Sequence, residues 1–325
     1  MRSLNKSMDM RRFFLTYGFL LVMLVLVVVV GAVTGSFLTA SNILGLLHSS
    51  APIMVTAAGL VLLIMAGKID ISIGSVAFVS TAVGTVLMVR YGVSPAVALP
   101  LVILIGALCG SFTGFVVVKL RVNPLIASLG MLFALRGVAL AVTDGRTISI
   151  PESVSAFGSL RIGPVFIDIV IVGLFILSMH VLHRHTTYGR HMMAIGNDAQ
   201  TAERLGVKTD RVTFIGFVLS GTFASLGGLL SITQLGSVSL NMGLGLEFTA
   251  IAMIVIGGIS LFGGEGSILP GFVLGVLTLN IIENGLNHLG ASPYAYPFVR
   301  GGVIFVAMYA DTLKYRLRLR GRSTA

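Results

Sequence analysis

The strongest constraint on this chain is a predominantly apolar run long enough to cross a bilayer, repeated about ten times. A hydrocarbon core about 30 Å thick takes about 20 apolar residues in helical form. Such runs lie at roughly 13–33, 49–67, 71–89, 96–118, 124–143, 165–182, 212–233, 248–263, 268–288 and 297–313. The expected fold is therefore an all-α polytopic membrane protein of about ten transmembrane helices, with residues 1–325 forming one transmembrane domain. A mean hydropathy of +1.00 with only 10% charged residues excludes a water-soluble surface. The 40 glycines suit helices that approach backbone to backbone.

Charge placement tests this reading. If the N-terminus is cytoplasmic, 17 of the 22 Lys and Arg residues fall on inside segments, namely 1–12, Lys68, Lys119 with Arg121, 183–211 and 314–322. Outside loops keep Arg90, Arg146 and Arg161, while Arg136 and Arg300 lie within spans. This asymmetry puts both termini in the cytoplasm. The net charge of +10 thus reflects orientation and contact with membrane lipid, and no nucleic-acid partner is expected. The first run is too long for a secretion signal and has no A-x-A site after it, so it reads as an uncleaved span. The single cysteine, Cys109, permits no intrachain disulfide and reads as packing.

The longest inside loop, about 183–211, contains RHMMAIGNDAQTAERLGVKTDR. Asn197 followed by Gln200 reads as a capping box, and Gly206 can close the helix in the left-handed conformation. A helix over Asp198–Leu205 would place Ala199, Ala202 and Leu205 on one small, smooth strip, with Glu203 and Arg204 beside it. Such a strip fits a groove on another protein; the plainer alternative is an interfacial helix on headgroups. The outside segment 144–164, rich in Pro, Gly and Ser, reads as an irregular loop or short re-entrant piece.

Five stretches then match one family in order along the chain. TTYGRHMMAIGNDAQTAERLGVKTDRVTFIGFVLSG, 186–221, resembles the cytoplasmic coupling loop of bacterial ABC importer permeases of the ribose-type carbohydrate uptake branch. GKIDISIGS (67–75), NPLIASLGMLFALRG (123–137), IGGISLFGGEGSILPG (256–271) and NGLNHLGASPY (284–294) are similar to further segments of that family. Lys68 and Glu265 depart from its usual pattern. The resemblance implies an inner-membrane permease subunit, itself not an enzyme and without a cofactor, moving a sugar or similar small polar solute by alternating access. Its implied partners are ATPase subunits that bind the ATP, a second permease copy or paralogue, and an extracytoplasmic solute-binding protein. Asn197, Asp198, Gln200, Ala202, Glu203, Arg204 and Gly206 are the expected ATPase-coupling residues. No G-x-x-x-x-G-K-[ST] loop occurs in the chain, so any ATP hydrolysis must come from a separate one.

Polar residues inside the apolar runs supply the remaining candidates. Asn280, Glu283, Asn284 and Asn287 share one helical face, either lining a translocation path or bonding helices together. Asp70 and Ser72, flanked by Gly67 and Gly74, suggest a helix break of the kind found at transporter sites, the plainer role for Asp70 being a solvated cap. Gly106, Gly110 and Gly114 read as close helix packing. Gly257, Gly258, Gly263 and Gly264 read as flexing or packing positions of the eighth span. Arg136 would pair with Asp168 or Glu247, or snorkel. The histidines 180, 183, 185 and 191 read as headgroup contacts and not as a metal site. The rival functional reading is an ion-gradient-driven secondary transporter with Asp70, Glu283 or Asp311 as ion carrier. A membrane transferase finds no Asp-rich metal motif.

Overall fold

The computed structural model describes residues 23–25, 27–292 and 294–322, the side chains of 307, 310, 311 and 313–322 excepted. The basic N-terminal segment, the first part of the 13–33 run, the Asp311 side chain and the basic side chains of the tail therefore lie outside the described parts. Among the described residues, seven helices are long and apolar enough to cross a membrane: α2 (Ala40–Met65), α3 (Ile73–Tyr91), α4 (Pro95–Val118), α5 (Pro124–Val142), α7 (Ile167–His185), α10 (Thr209–Leu235) and Ile268–His288. The last comprises a kinked turn at Ile268–Phe272 and the regular helix α12 (Val273–His288). Shorter apolar helices occupy the other three expected places: α1 (Met23–Val33), α11 (Leu246–Ile256), and the first part of α13, Ala295–Val306. Helix α13 itself continues to Arg322. Three short polar-flanked helices complete the set, α6 (Glu152–Ser159), α8 (Thr187–Asn197) and α9 (Ala199–Arg204).

Local chemistry sets the boundaries. Proline stands at the first turn of α4 and α5, where its missing N–H costs nothing, and the Asn123 side chain accepts the Leu125 N–H at 2.9 Å. Gly92 and Gly236, with φ of +67° and +72°, close α3 and α10. Helix α2 begins nine residues before the expected 49. Hydropathy missed this turn because Asn42 and His48 lower it, although both find partners inside the bundle.

The eighth run departs most from expectation. Its helix stops at Ile256, and Gly258, Gly263 and Gly264 take φ of +79°, +86° and +72°. These glycines are not flexing points of a span. They let an irregular chain, 257–267, fold back against its neighbours, as a side chain at such φ would be strained. The 144–164 segment is more ordered than an irregular loop. It carries α6, and two antiparallel ribbons flank it: β1 (Ile148–Ser149) pairs with β4 (Ser237–Val238), and β2 (Arg161–Ile162) with β3 (Val165–Phe166).

Helix α10 runs through the middle, flanked by α2, α3 and α4. The expected small-residue stripe of α4 faces it. A Cβ on Gly110 would stand 2.2 Å from the Phe217 carbonyl oxygen, and one on Gly221 would stand 2.2 Å from that of Gly106. On the other side a Cβ on Gly59 of α2 would meet the Ser220 Cα at 2.8 Å. Helices α2 and α3 are mostly encased, whereas α5 turns Leu125, Ile126 and Phe133 outward. Overpacking a tight contact costs about 1–3 kcal/mol. Gly221→Ala is expected to lower the thermal unfolding midpoint in detergent, while Gly130→Ala on α5, where the space is open, leaves it unchanged; equal midpoints would contradict this packing.

Candidate functional site

The chain between α7 and α10 forms a braced protrusion. The Thr186 hydroxyl accepts the Gly189 N–H at 3.3 Å and starts α8. Along α8, Met192 and Ile195 are buried in the same core as α2 and α10. Met192 reaches toward Gly216, whose position would otherwise collide with it and with Leu63.

The capping chemistry differs by one residue from the sequence expectation. Asn197 is the last residue of α8, and its amide donates to the carbonyls of Met193 (2.9 Å) and Gly264 (3.4 Å). Asp198, with extended backbone, is the N-cap of α9 and accepts the Thr201 N–H at 2.6 Å. Gln200 is then the second helical residue, one short of the capping-box position. The same bond, made to the ionised form, holds the Asp198 carboxyl below the usual aspartate range. With the folded value depressed, the cap's contribution is complete above the ordinary aspartate pKa and is lost only as pH falls through the lower value.

The C-terminal cap follows expectation. Gly206 has φ +86°, its N–H donates to Glu203, and the Val207 N–H donates to Ala202. The expected strip does not form, however. Ala202 is buried against the chain's own core while Leu205 is exposed, so Ala202 seats α9 and faces no partner. Gln200, Glu203 and Arg204 instead line a shallow, open concavity. At the same end Arg121 makes a two-pronged pair with Asp210, at 2.8 and 2.9 Å, joining the α4–α5 turn to α10.

Within the bundle, Asp70 sits in the break between α2 and α3 and is 1% exposed, which corrects its reading as a solvated cap. One carboxylate oxygen accepts the N–H and hydroxyl of Ser72 (2.9 and 2.6 Å), and the other accepts the Ser220 hydroxyl of α10 (2.8 Å). The Asn280 amide turns back to its own helix at the Val276 carbonyl. Glu283 receives Arg300 of α13 through Nε (2.9 Å) and Nη2 (2.6 Å), and Arg300 Nη1 donates to Thr249 of α11 at 2.6 Å. Asn284 and Asn42 exchange amide bonds at 2.9 and 3.2 Å, with His288 at 3.1 Å. Glu283 and Asn284 thus bond α12 to its neighbours, Glu283 as an ion-pair partner, while Asn280 bonds within α12.

Other pairings escaped the sequence. Arg136 contacts neither Asp168 nor Glu247 directly; it donates to the carbonyls of Met242 and Leu240 and lies over the Phe78 ring. Asp168 pairs with His48 and Gln234, each at 2.7 Å. His183 is buried and His180 accepts the Leu269 N–H, so neither rests on headgroups. Among the described residues no cluster of His, Cys, Asp and Glu could hold a metal ion. Polar residues within apolar runs were the only signal for these pairs, because the partners lie 17 to 246 residues apart.

Against this geometry the comparisons are direct. Residues 42–308 match the family described as branched-chain amino acid transport system / permease component. The ribose import permease protein of Escherichia coli K12 is 34% identical over 300 residues, covering 91% of this chain and 93% of that protein. Its counterpart in Haemophilus influenzae is 30% identical over 318 residues, 96% of this chain and 97% of the relative. The autoinducer 2 import system permease protein of Photorhabdus laumondii is 34% identical over 272 residues, 82% of this chain and 80% of the relative. No solved structure matches. Spans, braced protrusion and relatives together define a multi-pass transport subunit of the inner membrane, with no catalytic role of its own. The chain belongs to the permease family of ABC importers and is a permease subunit of the sugar-importing kind.

Removing one partner of this part-buried pair leaves the other uncompensated, and so costs more than removing both. Arg300→Leu is expected to destabilise the protein by about 2 kcal/mol, whereas Arg300→Leu with Glu283→Leu restores most of the loss. Thermal unfolding in detergent reads the cycle; additive losses would show that the pair is not coupled.

Proposed function

We propose that this permease is one half of a two-chain pore, homodimer or paralogue pair, whose α8–α9 protrusion docks in a groove of an ATPase subunit. The carrying observation is the build of the protrusion. Helix α9 has only six residues yet is capped at both ends, is seated by Ala202, and directs Gln200, Glu203 and Arg204 outward. A segment so braced transmits force, whereas a slack loop would absorb it. In this reading Asn197 anchors the protrusion, Asp198 and Gly206 hold its shape, and Glu203 with Arg204 meets the ATPase.

ATP is bound by the ATPase subunits alone, and the permease carries no cofactor. Both termini and the α8–α9 end face the cytoplasm, the whole chain acting as one transmembrane unit of ten spans. Helix α6 and the two small ribbons then face an extracytoplasmic solute-binding protein. Closure of the ATPase subunits around ATP draws the protrusions together and rocks the helices between inward and outward openings. The relatives named for ribose and for autoinducer 2 support a sugar or similar small polar solute.

Co-purification from native membranes tests the docking. Wild-type permease is expected to carry an ATPase that Glu203→Arg sheds without a change in the permease's thermal midpoint. Gly206→Val, which forces a branched side chain into φ +86°, should leave ATP hydrolysis running while abolishing uptake. Uptake by the isolated chain in proteoliposomes under an ion gradient alone would overturn the proposal.

A further inference from the structure

The protrusion meets the bundle at one unusual place. The Gly264 N–H donates to the carbonyl of Met65, the last residue of α2, at 2.8 Å. Gly196, near the end of α8, lies against the same two groups: a Cβ there would stand 1.9 Å from the Met65 oxygen and 2.3 Å from the Gly264 nitrogen. A Cβ on Gly263 would stand 2.8 Å from the Gly67 nitrogen and 2.9 Å from the Gly196 Cα. Three backbones, those of α2, α8 and the 257–267 segment, are therefore in contact with no side chain between them. Asn197 adds a further link, its amide reaching the Gly264 carbonyl.

Side chains hop among rotamers and absorb small displacements, but packed backbone does not. At its other end α8 is equally constrained, since a Cβ on Gly189 would stand 1.9 Å from the His183 carbonyl oxygen of α7. An 11-residue helix, about 16 Å long at 1.5 Å per residue, thus spans from a contact on α7 to the three-backbone contact. Beyond it the chain leads two ways. Gly67 opens the linker that Asp70 ties to Ser220 of α10, and the 257–267 segment runs into the turn before α12, where Gly257 abuts the Gly271 carbonyl.

We infer that the contact of Gly196 with the Met65 carbonyl and the Gly264 amide is the joint that passes movement of the α8–α9 protrusion to α2 and α12, with Gly196 and Asn197 as its positioning residues. The inference rests on the docking proposed above and extends it from the surface into the bundle. A methyl group at Gly196 parts the three backbones while leaving Gln200, Glu203 and Arg204 in place. Removal of the Asn197 amide leaves the backbones touching and deletes its bonds to the Met193 and Gly264 carbonyls, of which only the second leaves α8.

The test uses the complete transporter, permease with its ATPase subunits and binding protein, in proteoliposomes supplied with ATP and the transported sugar. The quantity read is solute imported per ATP hydrolysed. For Gly196→Ala the ATPase subunits are expected to co-purify in wild-type ratio and to hydrolyse ATP, with the import ratio reduced about tenfold or more. Asn197→Ala, which loses the bond to Gly264 along with one inside α8, is expected to reduce it about threefold. A purely structural role would lower assembly or the thermal midpoint and leave the ratio of surviving complexes intact. Wild-type ratios in both variants, with Glu203→Arg still shedding the ATPase, would overturn the joint and leave the docking standing. Should Gly196→Ala fail to assemble, a wild-type ratio in Asn197→Ala overturns the joint. Retention of the ATPase by Glu203→Arg would overturn the docking and the joint with it.

Discussion

The backbone of α10, pressed between those of α2 and α4, is the contact on which the other placements depend. In lipid an apolar side chain gains little by exchanging acyl chains for a neighbouring helix, so close dispersion contact must hold the helices together. Gly106, Gly110 and Gly221 allow that closeness on the α4 side, and Gly59 and Gly227 on the α2 side. Once α10 is fixed, its polar residues are fixed too. Ser220 reaches Asp70, Gln234 reaches His48 and Asp168, and the Thr233 carbonyl forms the floor on which Gly158 seats α6.

The polar groups in the apolar bundle follow one rule. An unpaired charge or amide there is costly, and several are bonded across helices. Arg300, Glu283 and Thr249 join α13, α12 and α11, while Asn42, Asn284 and His288 join α2 to α12. Two of the residues that share a face of α12, Glu283 and Asn284, are also cross-links when three helices are seen together. Helical periodicity places a residue on a face but says nothing of what the face meets.

That distinction explains what was legible in the sequence. Apolar run length located the helices, because the bilayer thickness acts on each segment alone. Gly206 as a helix stop and the α4 glycine stripe were legible for the same reason, being local requirements of one helix. The cap at Asp198, taken by sequence to be Asn197, turned on a single residue's backbone angle. Asp70 was placed in solvent because its partner, Ser220, lies 150 residues away. The end of α11 at Ile256 was hidden because the following glycines and apolar residues keep the hydropathy of a span while folding as irregular chain. The family resemblance covered the whole length and named the protrusion, but the inward turn of Ala202 came only from its packing.

Helix α13 has 28 residues, about 42 Å at 1.5 Å per residue, against a hydrocarbon core of about 30 Å. A helix longer than its membrane ordinarily chooses among tilting, sliding and thickening the bilayer. Here sliding is blocked, since Arg300 near one end is held by Glu283 and Thr249 of the neighbouring helices. The surplus length must emerge at the other end, where the sequence places Lys314, Arg316, Arg318, Arg320 and Arg322. One part-buried cluster thereby sets the height of α13 against α12 and α11, and a bilayer of different thickness would load that cluster before it moved the helix.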